Sequence, residues 1–90
     1  MVESIWVFCG SSAPFPSGVF TSIDLAEQWI AKYKLTGTLT RYPINIGIYD
    51  WAIQNNFFKP KDDKHKTAKF IQQFSSASQE HYHYEDGIKP

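Results

Sequence analysis

The sequence predicts an α+β fold: a three- or four-stranded, mainly antiparallel sheet with two to three helices packed on one face. Three observations predict it. Residues Ser22–Lys34 carry the apolar spacing, capping residues and charge order of one amphipathic helix. Short β-type runs stand on both sides of it, at Ile5–Cys9, Thr38–Tyr42 and Gln79–Glu85. A second helical spacing follows at Thr67, Phe70, Ile71 and Phe74.

The elements follow in chain order. Ile5–Cys9 is an unbroken apolar run of strand length ending at Gly10, which predicts an interior strand covered on both faces. Ser11–Gly18, with two prolines, reads as a loop, and Val19-Phe20 as a brief strand returning toward the first. In the first helix Thr21 is the expected N-cap and Asp24 its capping-box partner, with Phe20 and Leu25 at the spacing of a hydrophobic staple. Leu25, Ala26, Trp29, Ile30 and Tyr33 form its apolar stripe. Asp24 and Glu27 near the start and Lys32 and Lys34 near the end suit the helix dipole, and Gly37 suits a left-handed stop. Thr38–Tyr42 alternates as a strand halted by Pro43. Ile44–Gly47 is expected to be extended, then Ile48–Asn55 a short helix stopped by Asn55-Asn56. Lys59–Lys66 is a charged connection, and the second amphipathic helix is expected to start near Asp63 and break at Ser75–Ser78. Gln79–Glu85 alternates as the last strand, with a disordered, fraying tail at Gly87–Pro90.

Ninety residues suit a single domain, expected to span the chain from 1 to 90. Such a chain buries only about 60% of its unfolded surface. Three Trp, five Tyr and seven Phe meet that need, since each buried ring removes roughly 150–250 Å² from water. Nine basic and nine acidic residues cancel, which argues against nucleic acid or an anionic membrane as partner. The lone Cys9 can form neither an internal disulfide nor a cysteine zinc cluster. No apolar stretch approaches the length of a membrane span, and the expected setting is cytoplasmic.

The last strand holds the most suggestive chemistry. With a period of two, Gln79, His81, His83 and Glu85 share one face, while Glu80, Tyr82 and Tyr84 share the other. Two histidines at i and i+2 can chelate one metal, with Glu85 as an oxygen ligand, although zinc sites ordinarily use three or four protein ligands. The plainer reading is a packed Tyr face and a solvated His face, with no cofactor. A histidine base would need Cys9 or a serine of the 11–17 loop as nucleophile, and spacing alone fixes no such pairing. Tyr49-Asp50-Trp51 offers a second binding candidate, with Asp50 either exposed or bonded to a Tyr hydroxyl. Lys59, Lys61, Lys64, Lys66 and Lys69 cluster, but Asp62 and Asp63 dilute them, which reads as a solvated connection.

Val7-Phe8-Cys9-Gly10-Ser11-Ser12 is similar to the first turn of the Lonely guy phosphoribohydrolases, but their Pro-Gly-Gly-x-Gly-Thr signature is missing and the match is rejected. The whole chain resembles a family of small uncharacterised bacterial proteins known as a domain of unknown function. The resemblance rests on Gly18-Val19-Phe20-Thr21, Leu25-Ala26-Glu27, Trp29-Ile30, Leu39-Thr40, Tyr42-Pro43 and Gly47 with Tyr49-Asp50-Trp51-Ala52. It continues through Phe70-Ile71, Phe74-Ser75-Ser76-Ala77 and Glu80-His81-Tyr82-His83-Tyr84. It implies no established reaction, substrate or cofactor. The expected function is a non-enzymatic interaction module, accessory or immunity-like, that binds a protein partner or itself. Tyr49, Asp50, Trp51, His81, Tyr82, His83, Tyr84 and the loop at Phe15 are the expected surface. The alternative is a metal- or histidine-dependent enzyme or ligand-binding protein centred on His81 and His83.

Overall fold

The computed structural model describes residues 3–90. They form two compact units: one of the residues up to Ile44 together with Gln79–Pro90, the other of Asn45–Ser78. The chain is α+β, with one four-stranded antiparallel sheet and three α-helices among the described residues.

The first unit holds β1 (Ser4–Gly10), β2 (Gly18–Phe20), α1 (Ile23–Tyr33), β3 (Gly37–Pro43) and β4 (His81–Tyr84). The strand order is β2-β1-β3-β4, every neighbouring pair antiparallel. β1 is therefore interior to the sheet, as its composition predicts. The expectation that both its faces are covered fails, because burial alternates: Trp6 and Phe8 are buried, while Ile5, Val7 and Cys9 are partly exposed. Trp6 and Phe8 meet Leu39 of β3, Tyr84 of β4, and Ala26 and Ile30 of α1 in one core. Phe20, Ile23, Trp29, Leu35 and Tyr82 ring it.

α1 lies where the periodicity puts it, but its ends are set by different residues. Ser22, not Thr21, is the N-cap, accepting a hydrogen bond from the Leu25 amide at 3.2 Å. The shift by one residue takes Phe20 and Leu25 out of staple positions, and Leu25 and Tyr33 are exposed. The buried positions are Ala26 and Ile30, with Ile23 and Trp29 partly buried against them. The helix stops at Lys34, which takes the left-handed conformation at φ 53°. The Lys34 amide donates to Ala31 and the Leu35 amide to Ile30, the bond pair of a Schellman motif. Leu35 is thereby turned onto the core.

Gly37 has a different task from the stop expected of it. It opens β3 opposite Gly10, and a Cβ there would lie 2.4 Å from the Cys9 carbonyl oxygen. Only glycine lets the two backbones approach so closely.

The last strand is shorter than its alternation suggests. Gln79 lies outside it and is buried, its side-chain amide donating to the Arg41 carbonyl at 3.1 Å. The segment from Gly87, read from the sequence as a fraying tail, is bonded to its neighbours. Asp86 and Gly87, both at positive φ, turn the chain so that Glu85 and Ile88 exchange two backbone bonds of 2.8 and 3.0 Å. The Gly87 amide donates to Leu35, and the Lys89 ammonium reaches Glu27 at 3.2 Å.

The second unit holds α2 (Ile48–Gln54), a 3-10 helix (Asp63–Lys66) and α3 (Ala68–Gln72). The helix expected from Asp63 onward is split by Thr67, which is extended and caps the Phe70 amide with its hydroxyl. Tyr49, Phe58, His65, Phe70 and Phe74 form a ring cluster, with Phe58 4.9 Å from Phe74 and His65 4.9 Å from Phe70. The five clustered lysines of this stretch are all exposed. Among the described residues no helix is long and apolar enough to cross a membrane.

Candidate binding site

Strand pairing assembles one group of polar side chains at the end of the first unit's sheet. Cys9 of β1 pairs with Thr38 of β3, and Thr38 pairs with His83 of β4. Directly paired residues point to the same face, so a thiol, a hydroxyl and an imidazole stand in one row. Thr38 Oγ1 and His83 Nδ1 share a hydrogen bond of 3.3 Å. A cleft of about 320 Å³ opens here, lined by Cys9, Ser11, Thr36, Thr38, His83 and Tyr84 among others. The next row along the sheet runs Val19, Val7, Thr40 and His81.

The two imidazoles of β4 are exposed and stand side by side, ring centres 5.5 Å apart and planes at 90°. His81 Nδ1 donates to the Gln79 carbonyl at 2.7 Å. A carbonyl can only accept, so this bond fixes the proton on Nδ1 and leaves the Nε2 lone pair of the neutral ring free. Among the described residues no three His, Cys, Asp or Glu side chains gather as a metal-holding group, and Glu85 does not complete one with the two histidines.

Tyr82 and Tyr84 belong to the opposite face and are occupied by folding contacts. Tyr84 is buried, and its hydroxyl donates to Glu27 Oε2 at 2.6 Å. Burial and the Glu27 carboxylate push its phenol well above the ordinary range, while the Tyr84 bond, followed by Lys89, holds Glu27 below the usual carboxylate range. Tyr82 donates to Glu80 and lies beneath the Lys89 ammonium, 4.5 Å from the ring centre. The Tyr82 hydroxyl and then Arg41, 3.3 Å away, hold Glu80 low, and Glu80 in turn raises the Tyr82 phenol.

Tyr49, Asp50 and Trp51 lie in the second unit and do not act as one group. Tyr49 is spent in the ring cluster, its hydroxyl donating to the His65 carbonyl at 2.7 Å. Asp50 is exposed, and Trp51 packs on Phe57 at 5.3 Å.

The loop that runs from the cleft to β2 carries the most exposed large hydrophobic side chain among the described residues. Phe15 is 77% exposed. Its loop is nonetheless held: the Ser11 amide donates to Thr36, Ala13 to Gly10 and Ser17 to Phe8. Pro14 and Pro16 flank the ring and restrict the backbone on both sides.

A family sequence profile matches residues 5–90, which takes in both units and every residue of this site. The chain belongs to the family described as Domain of unknown function (DUF7710). No curated protein and no solved structure matches it significantly. In this DUF7710 chain the sequence singles out His81 and His83, and Cys9 as a nucleophile candidate, but neither Thr38 nor the pairing that puts Thr38 and Cys9 in the row of His83. Thr38 stands 45 positions from His83 in sequence, Cys9 further still, and only the register of a folded sheet brings them together.

Proposed function

We propose that this DUF7710 domain is a non-enzymatic protein-interaction module of the bacterial cytoplasm, accessory or immunity-like, which inserts Phe15 into an apolar pocket of another protein. The observation that carries this reading is a large ring exposed on a loop whose ends are pinned and whose neighbours are prolines. Burying such a side chain is worth about 1.5–3 kcal/mol. Holding it in place beforehand removes much of the ordering cost of association. The cleft lies at the start of the same loop, through Gly10 and Ser11, and accepts a complementary protrusion. Exposed Val19 in the following strand extends the apolar surface.

The test compares wild type with Phe15→Ala and with Leu25→Ala, an exposed apolar control on α1 of the same unit. Proteins captured by wild type and Leu25→Ala, but lost with Phe15→Ala, support the proposal. Light scattering that shows self-association abolished by Phe15→Ala redirects it to a homodimer. Identical capture by all three proteins overturns it.

A further inference from the structure

We propose that His81 and His83 form a two-histidine chelate for a divalent late transition-metal ion, an inference that does not rest on the Phe15 reading although His83 also lines the cleft. Three observations meet here. Both rings stand on the same face of a strand, two positions apart, and both are exposed. Their spacing suits one ion. A metal held by one nitrogen of each ring at about 2.0–2.1 Å, with a near-tetrahedral angle, sets the ring centres roughly 5.2 Å apart. The observed separation is 5.5 Å.

The third observation is the anchoring of both Nδ1 atoms. His81 Nδ1 donates to the Gln79 carbonyl, and His83 Nδ1 is bonded to the Thr38 hydroxyl. Metal-binding histidines donate the N–H of their second nitrogen in this way. His81 does so to a carbonyl, and the Thr38 hydroxyl can accept from His83 Nδ1, which leaves Nε2 of each ring as the ligand. Gln79 is itself buried and tied to Arg41, so the support for His81 is fixed in the fold. Two protein ligands leave positions on the ion for water or an external donor. Imidazole ligands favour copper, nickel and zinc, with copper(II) the tightest by the general order of divalent affinities.

Calorimetry on protein without an affinity tag, titrated separately with copper(II) and zinc(II), tests this. One ion per chain is expected, with copper tighter than zinc. His81→Ala and His83→Ala should each weaken binding by more than about tenfold, and Thr38→Val by about tenfold through loss of ring anchoring. His65→Ala should leave it unchanged. Electron paramagnetic resonance of the copper complex should report two nitrogen ligands, falling to one in either single variant. Binding unchanged in both single variants, or dependent on only one of the two histidines, overturns the chelate.

Discussion

The Tyr84 hydroxyl donates to Glu27 Oε2 at 2.6 Å, joining β4, one edge strand of the sheet, to the middle of α1. The two residues are far apart in sequence, and the Tyr84 ring belongs to the core that holds Leu39 and Ile30. Tyr84→Phe keeps the ring and removes only this bond. We expect it to cost about 1 kcal/mol near neutral pH, below the usual range for a charged acceptor, because Glu27 is a third exposed and keeps Lys89. Glu27 titrates below its ordinary 4.5 in the folded state, so its contribution is present above that pH and is lost as pH falls through the folded value. Tyr84 titrates above its ordinary 10.0, so its contribution is complete below that pH and is lost as pH rises beyond it. Urea unfolding across pH should show the wild-type advantage over Tyr84→Phe shrinking at both ends.

Ser22 and Thr21 separate the two ways of starting α1. Ser22→Ala removes the hydroxyl that accepts the Leu25 amide and should cost about 1 kcal/mol. Thr21→Ala should change stability by less than about 0.5 kcal/mol, since Thr21 is exposed and takes no part in the cap. Thermal unfolding of the two variants decides it; a loss with Thr21→Ala and none with Ser22→Ala would place the cap at Thr21.

Gly10 and Gly37 face each other in the β1–β3 ladder but are not equivalent. A Cβ on Gly37 would meet the Cys9 carbonyl at 2.4 Å and the Phe8 ring at 2.7 Å. Gly37→Ala should cost about 3 kcal/mol, because backbone and a buried ring must both move. A Cβ on Gly10 meets nothing closer than 3.7 Å. Gly10→Ala should stay within about 1 kcal/mol of wild type. Chemical denaturation of both variants measures the asymmetry.

Much of the local structure is legible in the sequence. Helical spacing located α1, alternation located β3, and the unbroken run of β1 foretold an interior strand. The Ile48–Asn55 helix was placed to within a residue. These signals are carried by neighbours three or four positions apart, or by strict alternation, and they survive any tertiary arrangement. The ends of elements were less legible. Thr21 and Ser22 can both cap, and the sequence order of Lys34 and Gly37 does not say which takes the left-handed turn. Lys34 takes it because Leu35 is then delivered to the core.

What the sequence determined by itself was the α+β class, the helix Ser22–Lys34, and the placing of His81 and His83 on one face of the last strand. Only the tertiary structure decided which side chains stand beside those histidines. Thr38 reaches His83, and Cys9 joins the row, through a strand register set by distant hydrogen bonds. It also decided that Tyr84 is buried against Glu27 and that Gln79 turns inward to Arg41, while Tyr49 is consumed by its own aromatic cluster. Sequence fixes the period of each element, but a pairing between strands depends on core packing, and a slip of one residue would have turned both histidines to the other face.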